Sequence, residues 1–524
     1  MLFVSSVSLM LFDGSGNLQK EDDYGNLSDM PLEMVISRRL SIKGDNYNLS
    51  ATVPRELVSK ILWAAYGYTP RGRTVPSLSN HPIRIYVCNE TAAYKFIPEN
   101  QSLTVWKEGD YRNLGGAYPA PIQLFIVIDT NICPNMTWGN AESGCAVQSI
   151  YLMANALNLG TVVTDDVSSN VDEGLGLPDN ETALYKMPLG YPLPPYTDYQ
   201  NLVPTTRPSS PELPEIQDRT TSLEDALNAV SSAHQWSGDP VTQQELSQIL
   251  WASYGYSYYE DPTKYSGYRH RTVPSAHAYY PMRIYAANSS GVYEYLPEPH
   301  TLTPIVAEDR RLSIAQASGH PWASSAPLLI TLAWDEYLMY TVNTTYVEVG
   351  LIAQNVYVES AAWGLIADWG KADANEEAMR TALGLTGQTN LHPASIITVG
   401  HVRTILGDVD GDGDVDISDL AALARAFGSA LGEINWNEDC DFNGDGVVDV
   451  LDLFDLGKNY GKTMILGDVD GDGDVDLSDL TALVEAFGSE PGEIKWNKDC
   501  DFNSDGVVDV LDLFDLSENY GKTT

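Results

Sequence analysis

The sequence predicts an α+β fold built twice in one chain and followed by two small all-α modules, each a pair of loop-helix units. Three observations predict it. The block Ile61-Leu-Trp63-Ala-Ala-Tyr66-Gly67-Tyr68, then Arg73-Thr-Val-Pro76-Ser77, returns as Ile249-Leu-Trp251-Ala-Ser-Tyr254-Gly255-Tyr256, then Arg271-Thr-Val-Pro274-Ser275. Each copy runs on through short apolar strands into a long helix, so one mixed unit has been duplicated. Residues 407–524 repeat an aspartate-rich frame four times, each time ahead of apolar residues at helical spacing.

Residues 1–29 open with the apolar run Leu2 to Phe12. No basic residue precedes it, no small-residue cleavage site follows clearly, and it is too short to cross a bilayer as a helix. It reads as a strand that needs a buried partner, because an unpaired apolar strand invites aggregation. Residues 30–195 form the first α+β domain. After the Trp63 helix come a strand at Ile83 to Val87, a tyrosine-bearing hairpin at Tyr94 to Pro98, an apolar strand at Ile122 to Ile128 and a helix over Gln148 to Leu157. Residues 222–405 repeat it, with Met282 to Ala286, Tyr293 to Pro297, Leu328 to Ala333 and Gln354 to Ala362 in the matching places. Trp63 and Trp251 fall on the apolar faces of their helices and read as core. The linker is 196–221, and the stretch 188–214 carries eight prolines, which favours an extended, semi-rigid path. The modules occupy 406–463 and 464–524, displaced from one another by 60 residues (Asp408 to Asp468). Few residues separate Val402 from the first module, so it should sit close against the second domain.

Each module holds two loops with oxygen-bearing side chains at positions 1, 3, 5, 9 and 12. The first loop reads Asp408, Asp410, Asp412, Asp414, Asp416 and Asp419, and the second Asp441, Asn443, Asp445, Val447, Asp449 and Asp452. The third reads Asp468, Asp470, Asp472, Asp474, Asp476 and Asp479, and the fourth Asp501, Asn503, Asp505, Val507, Asp509 and Asp512. Position 7 (Asp414, Val447, Asp474, Val507) offers a backbone carbonyl, and glycine at position 6 allows the sharp turn that wraps a hard cation in oxygen. Four calcium sites are expected. A solvated acidic tail is the competing reading of any charge run, but such a tail has no need of the apolar face Leu420, Leu423, Ala424 and Phe427.

The formal net charge is −42, and residues 407–524 hold 30 acidic against 6 basic side chains. Four divalent ions would bring that segment from −24 to −16, so it should repel itself without metal and compact with it. Nucleic acid is a poor partner for so acidic a chain. Sequons at Asn26, Asn48, Asn89, Asn100, Asn135, Asn180, Asn288 and Asn343 all lie outside the calcium region and favour an extracellular glycoprotein. Of five cysteines, Cys133 and Cys145 lie close enough to close a small loop, Cys440 and Cys500 hold equivalent module positions, and Cys88 has no obvious mate.

Aspartate at position 12, where an EF-hand has glutamate, and the lack of a clear entering helix make the unit loop-then-helix. The modules resemble dockerins, which implies adhesion: dockerins plug into cohesin receptors or dock intramolecularly. Positions 10 and 11, which often contact the partner in that family, are Ile417-Ser418 and Leu477-Ser478 in one class of loop and Val450-Leu451 and Val510-Leu511 in the other. They differ from the Ser-Thr pairs common in cellulose-degrading complexes.

The duplicated block, the glutamine-containing helix leading to Leu159-Gly160-Thr161, and the later Leu175-Gly-Leu-Pro178 and Pro188-Leu-Gly190 resemble the nitroreductase superfamily, nearest its SagB-type branch. The likeness covers about 30–195 and 222–403. It implies two nitroreductase-like domains forming an intrachain pseudo-dimer, with FMN held at the interface and hydride moving through its flavin nitrogen. The family's Arg-Arg-Ser-x-Arg run becomes Arg39-Leu40-Ser41-Ile42-Lys43 in the first half, but Val230-Ser231-Ser232-Ala233-His234, with no fixed cation, in the second. The segment expected to approach the flavin from the opposite half is Pro274-Ser275-Ala276-His277-Ala278-Tyr279-Tyr280-Pro281, with His277 in place of glycine, or the shorter Pro76 to Pro82. The basic residue expected after the last strand is missing from Tyr191 to Pro195, while Arg403 could serve in the second half. A surviving site would combine Arg39, Ser41 and Lys43 with Pro274 and Ser275. The competing expectation makes these remnants on a scaffold kept for shape, with Arg39 in a surface ion pair. No catalytic residue is identified, and His277 and His300 read as satisfied loop histidines. The function expected is a secreted, calcium-binding structural or adhesion subunit that assembles through its modules with copies of itself, as in a filament, or with a cohesin-like protein. The alternative is an extracellular FMN-dependent oxidoreductase anchored by its dockerins.

Overall fold

A computed structural model describes residues 30–523 apart from 70, 117, 166, 168, 195, 197–201, 232–235, 238, 402–405, 410–413, 431, 432, 434, 444, 463–466, 470–473, 490–494, 496, 498, 499 and 503–506. The apolar run 2–12, the sequon at Asn26, and Asp410, Asp412, Asp470, Asp472, Asn503 and Asp505 of the calcium frame lie outside the described residues, as does His234.

The first half begins with α1 (Leu32–Arg38) and α2 (Arg55–Tyr66), each entered behind a proline whose missing N–H is no loss in a first turn. A short hairpin, β1 (Tyr68–Thr69) and β2 (Gly72–Arg73), leads to β3 (Ile83–Cys88), β4 (Ala92–Ile97), β5 (Ser102–Glu108) and β6 (Ile122–Asp129). The chain continues through α3 (Met136–Ala156), β7 (Gly160–Thr161), α4 (Ser169–Leu175) and β8 (Glu181–Gly190). The six-stranded antiparallel sheet has the order β5-β4-β3-β6-β8-β7. Along β6 the two-residue period sorts the core: Leu124, Ile126 and Ile128 face the main cluster, Phe125 and Val127 a smaller outer one.

The second half repeats this plan with α5 (Leu223–Ala229), α6 (Gln243–Tyr254), β9 (Met282–Asn288), β10 (Gly291–Leu296), β11 (Thr301–Val306), α7 (Arg311–Ser318), β12 (Leu328–Asp335), α8 (Val342–Ala362), β13 (Leu365–Lys371), α9 (Glu376–Ala382) and β14 (Leu391–His401). Its sheet order, β11-β10-β9-β12-β14-β13, matches the first. The fold class read from the sequence, α+β built twice, is therefore present. Both central helices begin well before the glutamines that marked them, and run for 21 residues each.

Helices α3 and α8 are buried on nearly all sides and cross each other at the seam between the halves. They touch backbone to backbone. A Cβ placed on Gly350 would lie 1.9 Å from the Ala141 carbonyl oxygen, and one on Gly144 2.3 Å from that of Val347. Around this crossing the halves exchange equivalent bonds. Gln148 Nε2 donates to the Thr272 carbonyl (3.3 Å), and Gln354 Nε2 to the Thr74 carbonyl (3.0 Å). The two halves thus form one pseudo-symmetric body around a shared core.

The connector has no helix or strand over its described stretch 202–221, apart from an isolated pairing of Pro204 with Tyr259. Leu213 and Ile216 are buried, and Gln217 exchanges backbone bonds with the Gln248 amide. Its path is set by packing as well as by proline. All five cysteines are free and buried, so no Cys133–Cys145 loop forms: Cys145 lies three turns into α3 with its thiol toward the Gly350 carbonyl (3.3 Å). Trp251 is core as expected, whereas Trp63 is half-buried and donates to the Tyr68 carbonyl.

The modules contain α10 (Ile417–Ala426), α11 (Val450–Asn459), α12 (Leu477–Ala486) and α13 (Val510–Asn519). Each has its own small core, Val415, Leu423, Ala426, Cys440, Val448 and Leu456 in the first. No helix among the described residues is long and apolar enough to cross a membrane.

Candidate functional site

A cavity of about 350 Å³ opens at the seam, and all five residues expected at a surviving cleft line it: Arg39, Ser41 and Lys43 from the first half, Pro274 and Ser275 from the second. Arg39 is not in a surface ion pair. It is buried, and it ties the halves together by donating from Nε to the Thr272 carbonyl (3.1 Å) and from Nη2 to the Arg271 carbonyl (3.0 Å). Ser41 Oγ lies 3.1 Å from the Tyr151 hydroxyl, which receives the Val163 N–H. His270 stands in the wall, and burial first, then the Arg39 charge, push its pKa down to about 3.

The loop after Ser275 holds non-glycine residues in the left-handed region: His277 (φ 51°), Ala278 (φ 60°) and Tyr280 (φ 51°). Such backbone is strained for side-chain-bearing residues and persists only where its surroundings hold it. Here Ser275 is the anchor. Its hydroxyl donates to the buried Glu348 carboxylate and receives the Tyr280 N–H at 2.9 Å. The His277 ring turns onto Tyr340, 4.3 Å between centroids. His300 is satisfied as expected, by Ser247 and Tyr295.

Burial pushes the pKa of Glu348 up to about 8, against the Ser275 and Tyr254 bonds and the Arg271 charge, which lower it. Its counterpart Glu142, bonded to the Leu78 N–H, is pushed up to about 7 for the same leading reason. The folded chain thus keeps protons that the unfolded chain releases near 4.5, so stability falls as pH rises through the window from about 4.5 to 8. Each group contributes a slope of at most about 1.4 kcal/mol per pH unit. Glu348→Gln, neutral at every pH, should flatten urea-unfolding free energies measured between pH 5 and 8. An unchanged slope would show that Glu348 is ionised in the folded protein.

In the calcium loops, position 12 is the organising residue. Asp419, Asp452, Asp479 and Asp512 are all fully buried. Each carboxylate receives the N–H of loop position 2 on one oxygen and of position 9 on the other: Val409 and Asp416, Phe442 and Asp449, Val469 and Asp476, Phe502 and Asp509, all at 2.6–2.8 Å. The same aspartates close the capping boxes of their helices, so one side chain fixes loop start, loop end and helix start together. Asp414, Asp416 and Asp419 present carboxylate oxygens within 4.8 Å of one another, as do Asp474, Asp476 and Asp479. Gly446, at position 6, takes φ 85°, the turn that residue was expected to supply. This donor set of hard oxygens fits calcium. Val415, Val448, Val475 and Val508 at position 8, which the ligand spacing did not single out, are fully buried and link the loops to their cores.

A second feature went unread although its signal lies in the sequence. Four residues (69–72) separate Tyr68 from Arg73, whereas fourteen (257–270) separate Tyr256 from Arg271. The longer loop supplies Asp261, Thr263, Lys264, Tyr268 and His270 to the cavity wall. None of the seven described sequon asparagines is buried. Asn135 also caps α3, accepting from Thr137 and Trp138 N–H groups.

A model of the nitroreductase family matches residues 36–191 and 231–401, and one of the dockerin type I domain matches residues 406–459 and 466–518. A Methanocaldococcus jannaschii protein provisionally named a nitroreductase is 33% identical over 167 residues, covering 29% of this chain and 79% of that protein. Among solved structures, a provisionally named nitroreductase from Anabaena variabilis covers 70% of this chain and 94% of its own, with a TM-score of 0.53 at 16% identity, a likeness of fold. Another, from Desulfovibrio desulfuricans and solved in complex with FMN, covers 35% of this chain and 88% of its own, with a TM-score of 0.27 at 17% identity.

Proposed function

This chain belongs to the nitroreductase family, and from that premise we propose that it is a secreted calcium-binding subunit, whose paired sheets serve as a scaffold and whose dockerin modules assemble it on or outside the cell. The observation that carries this reading is the position-12 aspartate, buried and doubly bonded in the same way in all four loops. Such a loop gains its shape from metal and passes it to the helix that follows. Positions 10 and 11 then present apolar side chains to solvent: Ile417, Val450, Leu451, Leu477 and Val510 are each more than half exposed. Exposed apolar groups on a rigid, acidic module mark a surface that meets a partner, a cohesin-like protein or another copy of the chain. A head-to-tail contact between copies would propagate into a filament. Eight sequons and a high demand for calcium support an extracellular setting. Electron microscopy of the native assembly before and after EDTA tests this: dispersal on chelation is expected, and assemblies that survive it intact would remove the calcium-dependent contact.

A second reading is favoured by the convergence of five expected residues on one cavity. Its volume lies within the range of ligand pockets, and its donor set suits a phosphate monoester with a planar head. Ser41 and Lys43 would hold the phosphate end, while the backbone of 277–280, left-handed at His277, Ala278 and Tyr280, would face the ring. FMN bound there would supply hydride transfer to and from its flavin nitrogen. Arg39 would act indirectly, since its guanidinium braces the 271–272 backbone that leads into Pro274 and Ser275. Flavin absorbance in the purified protein, released on denaturation, is the expected signature of this reading, and a colourless protein that takes up no added FMN defeats it.

A further inference from the structure

We propose that Lys264, brought to the lining of the cleft by a loop that only the second half possesses, pairs with Lys43 to clamp the phosphate of the cofactor. It would replace the basic residue that the first half lacks after its last strand. The inference rests on the flavin reading of the cavity.

The loop 257–270 is a tied-down element. Asp261 N–H donates to the Tyr268 carbonyl (2.9 Å) and closes it, and Lys264 N–H donates to the Asp261 carbonyl (3.1 Å). The Asp261 carboxylate accepts from the Thr263 N–H and hydroxyl, at 2.8 and 2.7 Å, so it is engaged within its own turn. The connector holds the loop from outside: Glu260 N–H donates to the Val203 carbonyl, Thr205 N–H to that of Tyr258, and the Tyr258 hydroxyl to Asp218 (2.6 Å). From the first half, Ser37 Oγ accepts the Tyr258 N–H at 2.9 Å. A loop braced at both ends can present a charge at a fixed place, which a long free loop cannot.

Lys43 and Lys264 come from opposite halves and line the same cavity. Both are exposed, and among the described residues neither side chain has an ion-pair or hydrogen-bond partner. Two cations lining one cavity without partners repel each other and are stabilised by an anion between them. Asp165 on the same lining opposes an anion, so beside the Arg39 guanidinium, which is committed to the 271–272 backbone, two lysines balance a phosphate dianion better than one. Lysine suits this task as a point charge that needs no bidentate geometry.

The test compares FMN with riboflavin, which shares the ring and ribityl chain but carries no phosphate. Binding to the full-length chain is followed by quenching of flavin fluorescence. The unmodified protein is expected to prefer FMN, and Lys264→Ala to weaken FMN by about 10- to 100-fold, the worth of a charge-assisted bond, while changing riboflavin less than about twofold. Lys43→Ala should behave alike. Because Lys264 is exposed, the thermal transition of the variant should be unaltered. Preference for FMN that survives Lys264→Ala overturns the role of Lys264 and leaves the flavin reading standing. Equal binding of FMN and riboflavin by the unmodified chain overturns the clamp. If neither flavin binds, the flavin reading falls and the clamp with it.

Discussion

Alanine at Asp452 unfolds the first calcium module and leaves both sheets standing. The carboxylate is fully buried, with one oxygen on the Phe442 N–H and the other on that of Asp449, both at 2.8 Å. Truncation orphans two backbone donors in the interior, at about 1–3 kcal/mol each, and weakens the α11 capping box by about 1 kcal/mol. It also removes the proposed position-12 ligand from the loop, and with it the stabilisation that bound calcium would give, about 4 kcal/mol at a thousandfold excess over Kd. Against this stands a core of six buried side chains in a unit small enough to be marginal on its own. The lost terms exceed what such a core supplies. Calorimetric titration of calcium into the full chain should find two fewer sites than in the unmodified protein, because both loops share that core. Hydrogen exchange should rise over 406–463 alone. Full stoichiometry in the variant would show that position 12 is not a ligand. Asp452→Asn, which keeps an acceptor for one N–H, should fall between the two.

The strands and the duplication were legible because they are local. Ile83 to Cys88 and Ile122 to Asp129 alternate or run apolar within a few residues, and each pattern is written twice. The dockerin loop-helix units were legible for the same reason, since the aspartate spacing and the cap lie within twelve residues. The first halves of α3 and α8 were not. Asn140, Glu142, Ser143 and Gly144 look like loop residues, yet each is buried at the seam, where an opposing helix or strand sets the requirement. Arg39 was singled out by motif and lines the seam cavity, but its bonds run to carbonyls more than 230 residues away, which no local pattern announces. The loop 257–270 was written in the sequence as a length mismatch between repeats, and its meaning appears only once the cavity it walls is formed.

The seam itself is most exposed to a single methyl group. Gly350→Ala adds a Cβ that would lie 1.9 Å from the Ala141 carbonyl oxygen and 2.9 Å from the Gly144 Cα. Both obstacles are backbone, so no side chain can swing aside, and α3 and α8 must part along their length. Overpacking of this kind costs about 1–3 kcal/mol, with rigid surroundings toward the upper end. Alanine's better helix propensity offsets about 1 kcal/mol of that at most. The parting also strains the bonds that cross between halves, from Gln148 to Thr272 and from Gln354 to Thr74. The main thermal transition, recorded with calcium saturating, should therefore fall by several degrees. Gly457→Ala is the matched control. It sits in α11 with nothing within 4 Å of its added Cβ, so only propensity acts and stability should stay level or rise slightly. Gly144→Ala relieves nothing when combined with Gly350→Ala, and because both act on one crossing their effects should sum to less than the separate losses. A Gly350→Ala protein that melts with the unmodified chain would mean that the two helices do not meet backbone to backbone, and that the single pseudo-symmetric body is held by the rest of the shared core and by the other bonds between the halves.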